Sequence, residues 1–145
     1  MALLAGATGS SCTGPAPPPN VILISADTLR ADRLGAYGYD ARPTSPRIDA
    51  LAEEALLFEV HLAAAPWTTP SHLSLLTGLT PTRHGVTGSD RALREALRGE
   101  GTIQRLPGEL TTLAETLAAA GWSTGAFTGG ATLDARIGFD RGFGE

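Results

Sequence analysis

Lysine is missing from this 145-residue chain: all 11 basic residues are arginine, set against 15 acidic ones for a net charge of −4. The arginines are scattered and no stripe of aromatic and basic side chains accompanies them, which argues against nucleic acid as a partner. One cysteine, Cys12, leaves no internal disulfide framework and no thiolate zinc cluster. No apolar run approaches the length of a transmembrane helix. What remains, at 42% hydrophobic residues, is enough for one domain that buries a core. No internal repeat is present.

Residues 1–19 differ in character from the rest. Met1 to Ala7 is mildly apolar, and Pro15-Ala16-Pro17-Pro18-Pro19 is a stiff, extended linker. Gly9-Ser10-Ser11-Cys12 resembles the end of a bacterial lipoprotein signal, in which Cys12 would carry a lipid anchor. The protein would then be exported, periplasmic or membrane-anchored. The basic start of such a signal is missing and its apolar stretch is short. The alternative is a leader without structure on a cytoplasmic protein.

Two segments carry the candidate chemistry. Pro66-Trp67-Thr68-Thr69-Pro70-Ser71-His72-Leu73-Ser74-Leu75-Leu76-Thr77-Gly78 predicts a helix over 70–77, with Pro70 at its first position and Gly78 just past its end. Hydroxyls at the start of a helix meet unpaired N–H groups and the positive end of the dipole, a setting that favours a sulfuryl or phosphoryl group. An ordinary capped core helix has the same sequence pattern. Upstream, Val21 to Ile24 is an unbroken apolar run that predicts a strand buried on both faces of a parallel sheet. Asp27 would then stand at the strand's carboxyl end, where open α/β sheets bind ligands and where a carboxylate suits a hard metal ion. A turn or helix cap is the other use of an Asp in that place.

From Asn20 onward, strand and helix signals alternate. Ser45-Pro46 opens a helix with Ile48, Leu51, Ala52 and Ala55 on one face. Residues 57–62 predict a strand, and Asp90 to Arg98 a short exposed helix with an Arg91–Glu95 pair. Thr112 and Glu115 have capping-box spacing before a helix closed by Gly121, and 122–128 predicts a third strand. This β-α-β order predicts a mainly parallel sheet covered by helices on both faces. His61 suits strand-face packing or the surface, and His84 a structural hydrogen bond. Arg30, Asp32 and Arg33 suit either the sheet edge or a solvated loop.

These segments, in this order, resemble the sulfatase family of the alkaline phosphatase superfamily. Thr68-Thr69-Pro70-Ser71-His72 is similar to its Cys/Ser-x-Pro-Ser-Arg signature, and Leu76-Thr77-Gly78 to the signature's tail. Further likenesses lie in Ala36-Tyr37-Gly38-Tyr39, in Thr44 to Ala52, in Leu113 to Thr124 and in Gly138 to Phe143. The resemblance covers residues 20–145. It implies the amino-terminal part of an α/β/α sandwich, with residues 1–19 as leader. Family members run to several hundred residues and supply an Asp-His or Asp-Asn metal pair further on, so the chain is expected to be a truncated piece.

For the site, the resemblance implies Asp27 as a metal ligand, Thr68 as nucleophile and second ligand, and His72 in the catalytic set. His72 would donate to a nonbridging ester oxygen, or else cap or pack. The metal would be calcium, manganese or zinc. The substrate would be a small-molecule or glycan ester of sulfate or phosphate, cleaved or transferred. Three departures stand out. Sulfatases convert the signature Cys or Ser to formylglycine, and Thr cannot give the same aldehyde. His72 replaces the signature Arg, and Thr28 a second Asp. A Thr nucleophile is typical of relatives that act on phosphate esters. The rival expectation is a catalytically inert fragment or a binding remnant.

Overall fold

The computed structural model describes residues 19–144. Residues 1–18 of the leader, with Cys12 and the lipid anchor expected there, lie outside the described residues. Among the described residues five α-helices follow in order: α1 Pro46–Glu54, α2 Thr68–Thr77, α3 Pro81–His84, α4 Asp90–Leu97 and α5 Leu113–Ala119. Short 3₁₀ turns lie at Ala31–Arg33, Gly35–Tyr37, Ala131–Leu133 and Ala135–Ile137.

Local chemistry explains where the helices start and stop. Pro46 and Pro81 open α1 and α3, where a missing N–H removes nothing from the helix. Ser89 accepts from Ala92 N at the start of α4. Thr112 and Glu115 make both bonds of the expected capping box on α5. Gly78, at φ +69°, ends α2 in the left-handed conformation that glycine adopts without strain. α2 begins at Thr68, two residues before the expected start, so Pro70 is its third residue and Thr68 its first.

The core is small and lies beneath α2. Leu73 of α2, Val86, Leu93 of α4, Leu106, Ile137 and Phe139 form its buried centre, with Leu76, Leu97, Ile103, Leu110 and Leu133 against it. One polar clamp ties the end of the described chain to α5. Arg141 makes a two-point ion pair with Glu115, donates to Pro107 O at 2.9 Å and donates also to Leu110 O, while Thr112 Oγ1 donates to Arg141 O. Gly142 follows at φ +84°, and a Cβ there would stand 2.2 Å from Glu115 N. A second clamp joins two of the family-like segments. Asp49 accepts from Ala36 N and from Ser45 Oγ, so close to Gly35 that a Cβ there would meet its carboxylate at 2.4 Å.

The expected parallel sheet is absent: the described residues contain no strand. The three runs predicted as strands, 21–26, 57–62 and 122–128, are not joined to one another by any backbone hydrogen bond. Val21, Ile22, Leu23 and Ile24 are 60%, 83%, 51% and 85% exposed instead of buried on both faces. On α1, Ile48 and Leu51 are likewise uncovered. The physical reason is that a strand exists only through its partner. An apolar run with no neighbour to exchange N–H and C=O bonds gains nothing from a pleated ladder.

Candidate active site

An open cleft of about 830 Å³ lies over the start of α2. The 25–29 turn, the 61–67 loop, the first turns of α2 and Asp90 form its walls.

Two threonines open α2, and their surroundings tell them apart. Thr69 is buried, and its hydroxyl donates to Thr132 O at 2.7 Å, which makes it a structural tie. Thr68 is half-buried and faces the cleft, with its Oγ1 donating to Asp27 Oδ2 at 3.1 Å and to Oδ1 at 3.4 Å. The two residues proposed from sequence, 41 positions apart, therefore converge. Asp27 is presented by a tight turn in which Leu29 N donates to Ala26 O at 3.4 Å. Thr28, the next residue, has φ +59°, a left-handed conformation that a β-branched residue adopts only under constraint.

The first N–H groups of α2, at its observed start two residues before the expected one, already meet an anion. Thr68 N donates to Asp90 Oδ2 at 3.4 Å, and Thr69 N to Asp90 Oδ1 at 3.5 Å. Trp67, at the cap position, offers no side-chain acceptor, so a carboxylate from the start of α4 serves in its place. Sequence reasoning missed this role of Asp90, because no spacing rule connects residues 22 positions apart in two helices.

His72, one turn into α2, has both ring nitrogens engaged. Nδ1 lies 2.9 Å from Thr68 O, and Nε2 lies 2.9 Å from Ser25 Oγ. Ser25, also missed from sequence, belongs to the same segment as Asp27. His84 is fully buried away from the cleft. Val86 N donates to its Nδ1 at 3.2 Å, so Nε2 carries the hydrogen, beside Ser74 Oγ at 3.1 Å and Pro70 O at 3.3 Å. Burial pushes its pKa below the ordinary value of 6.5. His61 lines the cleft and sits edge-on to Phe58, with ring centroids 6.4 Å apart. Arg30 and Asp32 make an exposed ion pair at 2.7 Å, and Arg33 lies over Tyr39, so these charges are a solvated loop and do not line the cleft.

As a metal site, the set is partial. Asp27 and Thr68 offer hard oxygen donors, suited to a cation that takes six or more oxygens. Among the described residues, no three acid, His or Cys side chains converge as a metal-holding group.

The chain belongs to the sulfatase family, whose model matches residues 19–144. An alkaline-phosphatase-like fold goes with that family. Among curated relatives, the N-acetylgalactosamine-6-sulfatase of Canis lupus familiaris is 34% identical over 84% of this chain and 23% of its own length. The human arylsulfatase D is 43% identical over 74% of this chain and 18% of its own. The mouse steryl-sulfatase is 48% identical over 54% of this chain and 12% of its own. The chain thus spans less than a quarter of these three relatives. No solved structure matches it.

Proposed function

We propose that this chain is the nucleophile-bearing part of a sulfatase-like, metal-dependent hydrolase or transferase that acts on sulfate or phosphate esters through Thr68. The observation that carries this is the contact of Thr68 Oγ1 with the Asp27 carboxylate inside an open cleft. Thr68 Oγ1 attacks the sulfur or phosphorus in line, its oxygen forming the new bond as the alcohol half departs. The resulting ester on Thr68 is then cleaved by water. Asp27 orients the hydroxyl through its hydrogen bond. A divalent metal held by Asp27 and Thr68 would lower the hydroxyl's pKa and offset charge on the ester oxygens. His72 belongs to the same set through its place beside Thr68.

Chemistry favours the phosphate branch. Oxidation of a Thr side chain yields a ketone, so the aldehyde that serves as nucleophile in formylglycine sulfatases is unavailable at this position. The relatives named above are sulfatases, which supports a sulfate ester, free or on a glycan, as the other substrate class. An inert or purely binding chain is the second reading, favoured by the incomplete ligand set.

The test is kinetic, in a chain joined to the remaining length of a sulfatase domain. Thr68→Ala should abolish turnover of aryl phosphate, phosphonate and sulfate esters while leaving the fold intact, and Thr68→Ser should retain phosphodiesterase activity. Thr68→Cys should gain sulfatase activity only where a formylglycine-generating enzyme is present. Near-full activity of Thr68→Ala contradicts the covalent mechanism.

A further inference from the structure

The segment that carries Asp27 has no backbone ladder to hold it. Among the described residues, apart from the local turn bond from Leu29 N to Ala26 O, hydrogen bonds from 19–28 to the rest of the chain come through side chains. Trp122 Nε1 donates to Pro19 O at 3.3 Å at one end; Ser25–His72 and Thr68–Asp27 stand at the other. The separation of Asp27 from Thr68 therefore depends on a neighbouring side-chain contact.

His72 supplies that contact. Thr68 O can only accept, so Nδ1 carries the hydrogen; in the neutral ring Nε2 is then the acceptor, and the Ser25 hydroxyl donates to it. The ring bridges a carbonyl on its own helix and a hydroxyl on the other segment. An Arg in the same place offers only donors and could not take the Ser25 proton. We propose that Ser25 and His72 form a positioning pair that holds the Asp27 carboxylate against the Thr68 hydroxyl. It rests on the assignment of Asp27 and Thr68 above, and it makes His72 act through placement, with its ring nitrogens turned to Ser25 and Thr68 and not to the ester.

The left-handed Thr28 agrees with this. Such a conformation is strained for a β-branched residue and persists where the surroundings fix the chain on both sides. Two residues of extended chain reach about 7 Å. A fixed Ser25 therefore confines Asp27, and a released one lets the 26–29 turn relax and the carboxylate drift.

Two readouts test the pair on the 145-residue chain. Imidazole ¹⁵N spectroscopy at about pH 8, above the ordinary His range, should show His72 as the Nδ1–H tautomer with Nε2 unprotonated. Ser25→Ala should leave Nδ1 protonated through Thr68 O but move the Nε2 resonance as it loses its hydrogen bond, and Ser25→Thr should restore it. In parallel, electron paramagnetic resonance titration with Mn²⁺ should show Ser25→Ala and His72→Asn each weakening binding by roughly 10-fold or more. The double variant should be no weaker than either single one, since both remove the same contact. If Ser25→Ala fails to fold, the isosteric comparison of Ser25→Thr with Ser25→Val carries the same contrast. An Nε2–H or averaged His72 signal in the unsubstituted chain overturns the pair, as do losses that multiply in the double variant. Mn²⁺ affinity unchanged by Asp27→Ala overturns the assignment of Asp27 instead, with the tautomer still judging the pair.

Discussion

At the residue scale, function and architecture divide between neighbours. Thr68 and Thr69 are identical in kind and adjacent in sequence, yet one hydroxyl faces the cleft and the other is spent on Thr132 O. Thr69→Val should therefore destabilise the fold by about 0.5–1.5 kcal/mol, the net worth of its hydrogen bond to the half-buried Thr132, while Thr68→Ala leaves the melting temperature nearly unchanged. Gly142→Ala should be costlier: about 1–2 kcal/mol for the left-handed backbone and about 1–3 kcal/mol more for displacing Glu115 N. His84 sets a pH dependence. Its folded pKa lies below the unfolded value of about 6.5, so as pH falls the unfolded chain takes up the proton first. Stability should be complete above about pH 6.5 and decline as pH falls through the folded pKa. Denaturant titrations between pH 8 and pH 5 check this, and His84→Gln should flatten the slope. The candidates Thr68 and Asp27 were legible because hydroxyl-at-helix-start and carboxylate-after-apolar-run are local patterns. Ser25 was not, because its meaning comes from His72, 47 positions away.

At the scale of elements, α1, α2, α4 and α5 were legible; α3 at Pro81–His84 was not anticipated, and the expected strands are not seen among the described residues. Capping residues act within one turn, so Pro46, Gly78 and the Thr112–Glu115 box name their helices from sequence alone. A strand needs a partner that its own residues do not specify, and the 21–26, 57–62 and 122–128 runs have none among the described residues. Between elements, Asp90 of α4 closes the start of α2. Asp90→Ala should lower stability by about 0.5–1 kcal/mol, the low end for a cap because both bonds are long. The same change frees two N–H groups at the cleft, so inorganic phosphate should bind Asp90→Ala more tightly than the parent chain. Equal phosphate affinity in both would contradict the competition.

At the scale of the whole molecule, the core beneath α2 is complete while the apolar runs above remain open. Ile22, Ile24, Leu56, Val60, Leu62 and Phe127 all stand at 78% exposure or more. Long apolar segments with unpaired backbone groups recruit other chains. The isolated chain should accordingly be marginally stable, self-associate as its concentration rises, and lack turnover. Sedimentation velocity across a concentration series checks the association, and a single monomeric species with a cooperative melt would contradict it. The sulfatase assignment survives either outcome, because it rests on the match over residues 19–144.

The covalent role of Thr68 is most directly tested by trapping its ester. The chain joined to the remaining length of a sulfatase domain would be quenched in acid during turnover of an aryl phosphate or an aryl sulfate, then digested and mapped by mass spectrometry. The expected result is a phosphoryl or sulfuryl adduct on Thr68, lost in Thr68→Ala and reduced in Asp27→Ala. An adduct on any other side chain, or undiminished turnover without Thr68, would contradict it.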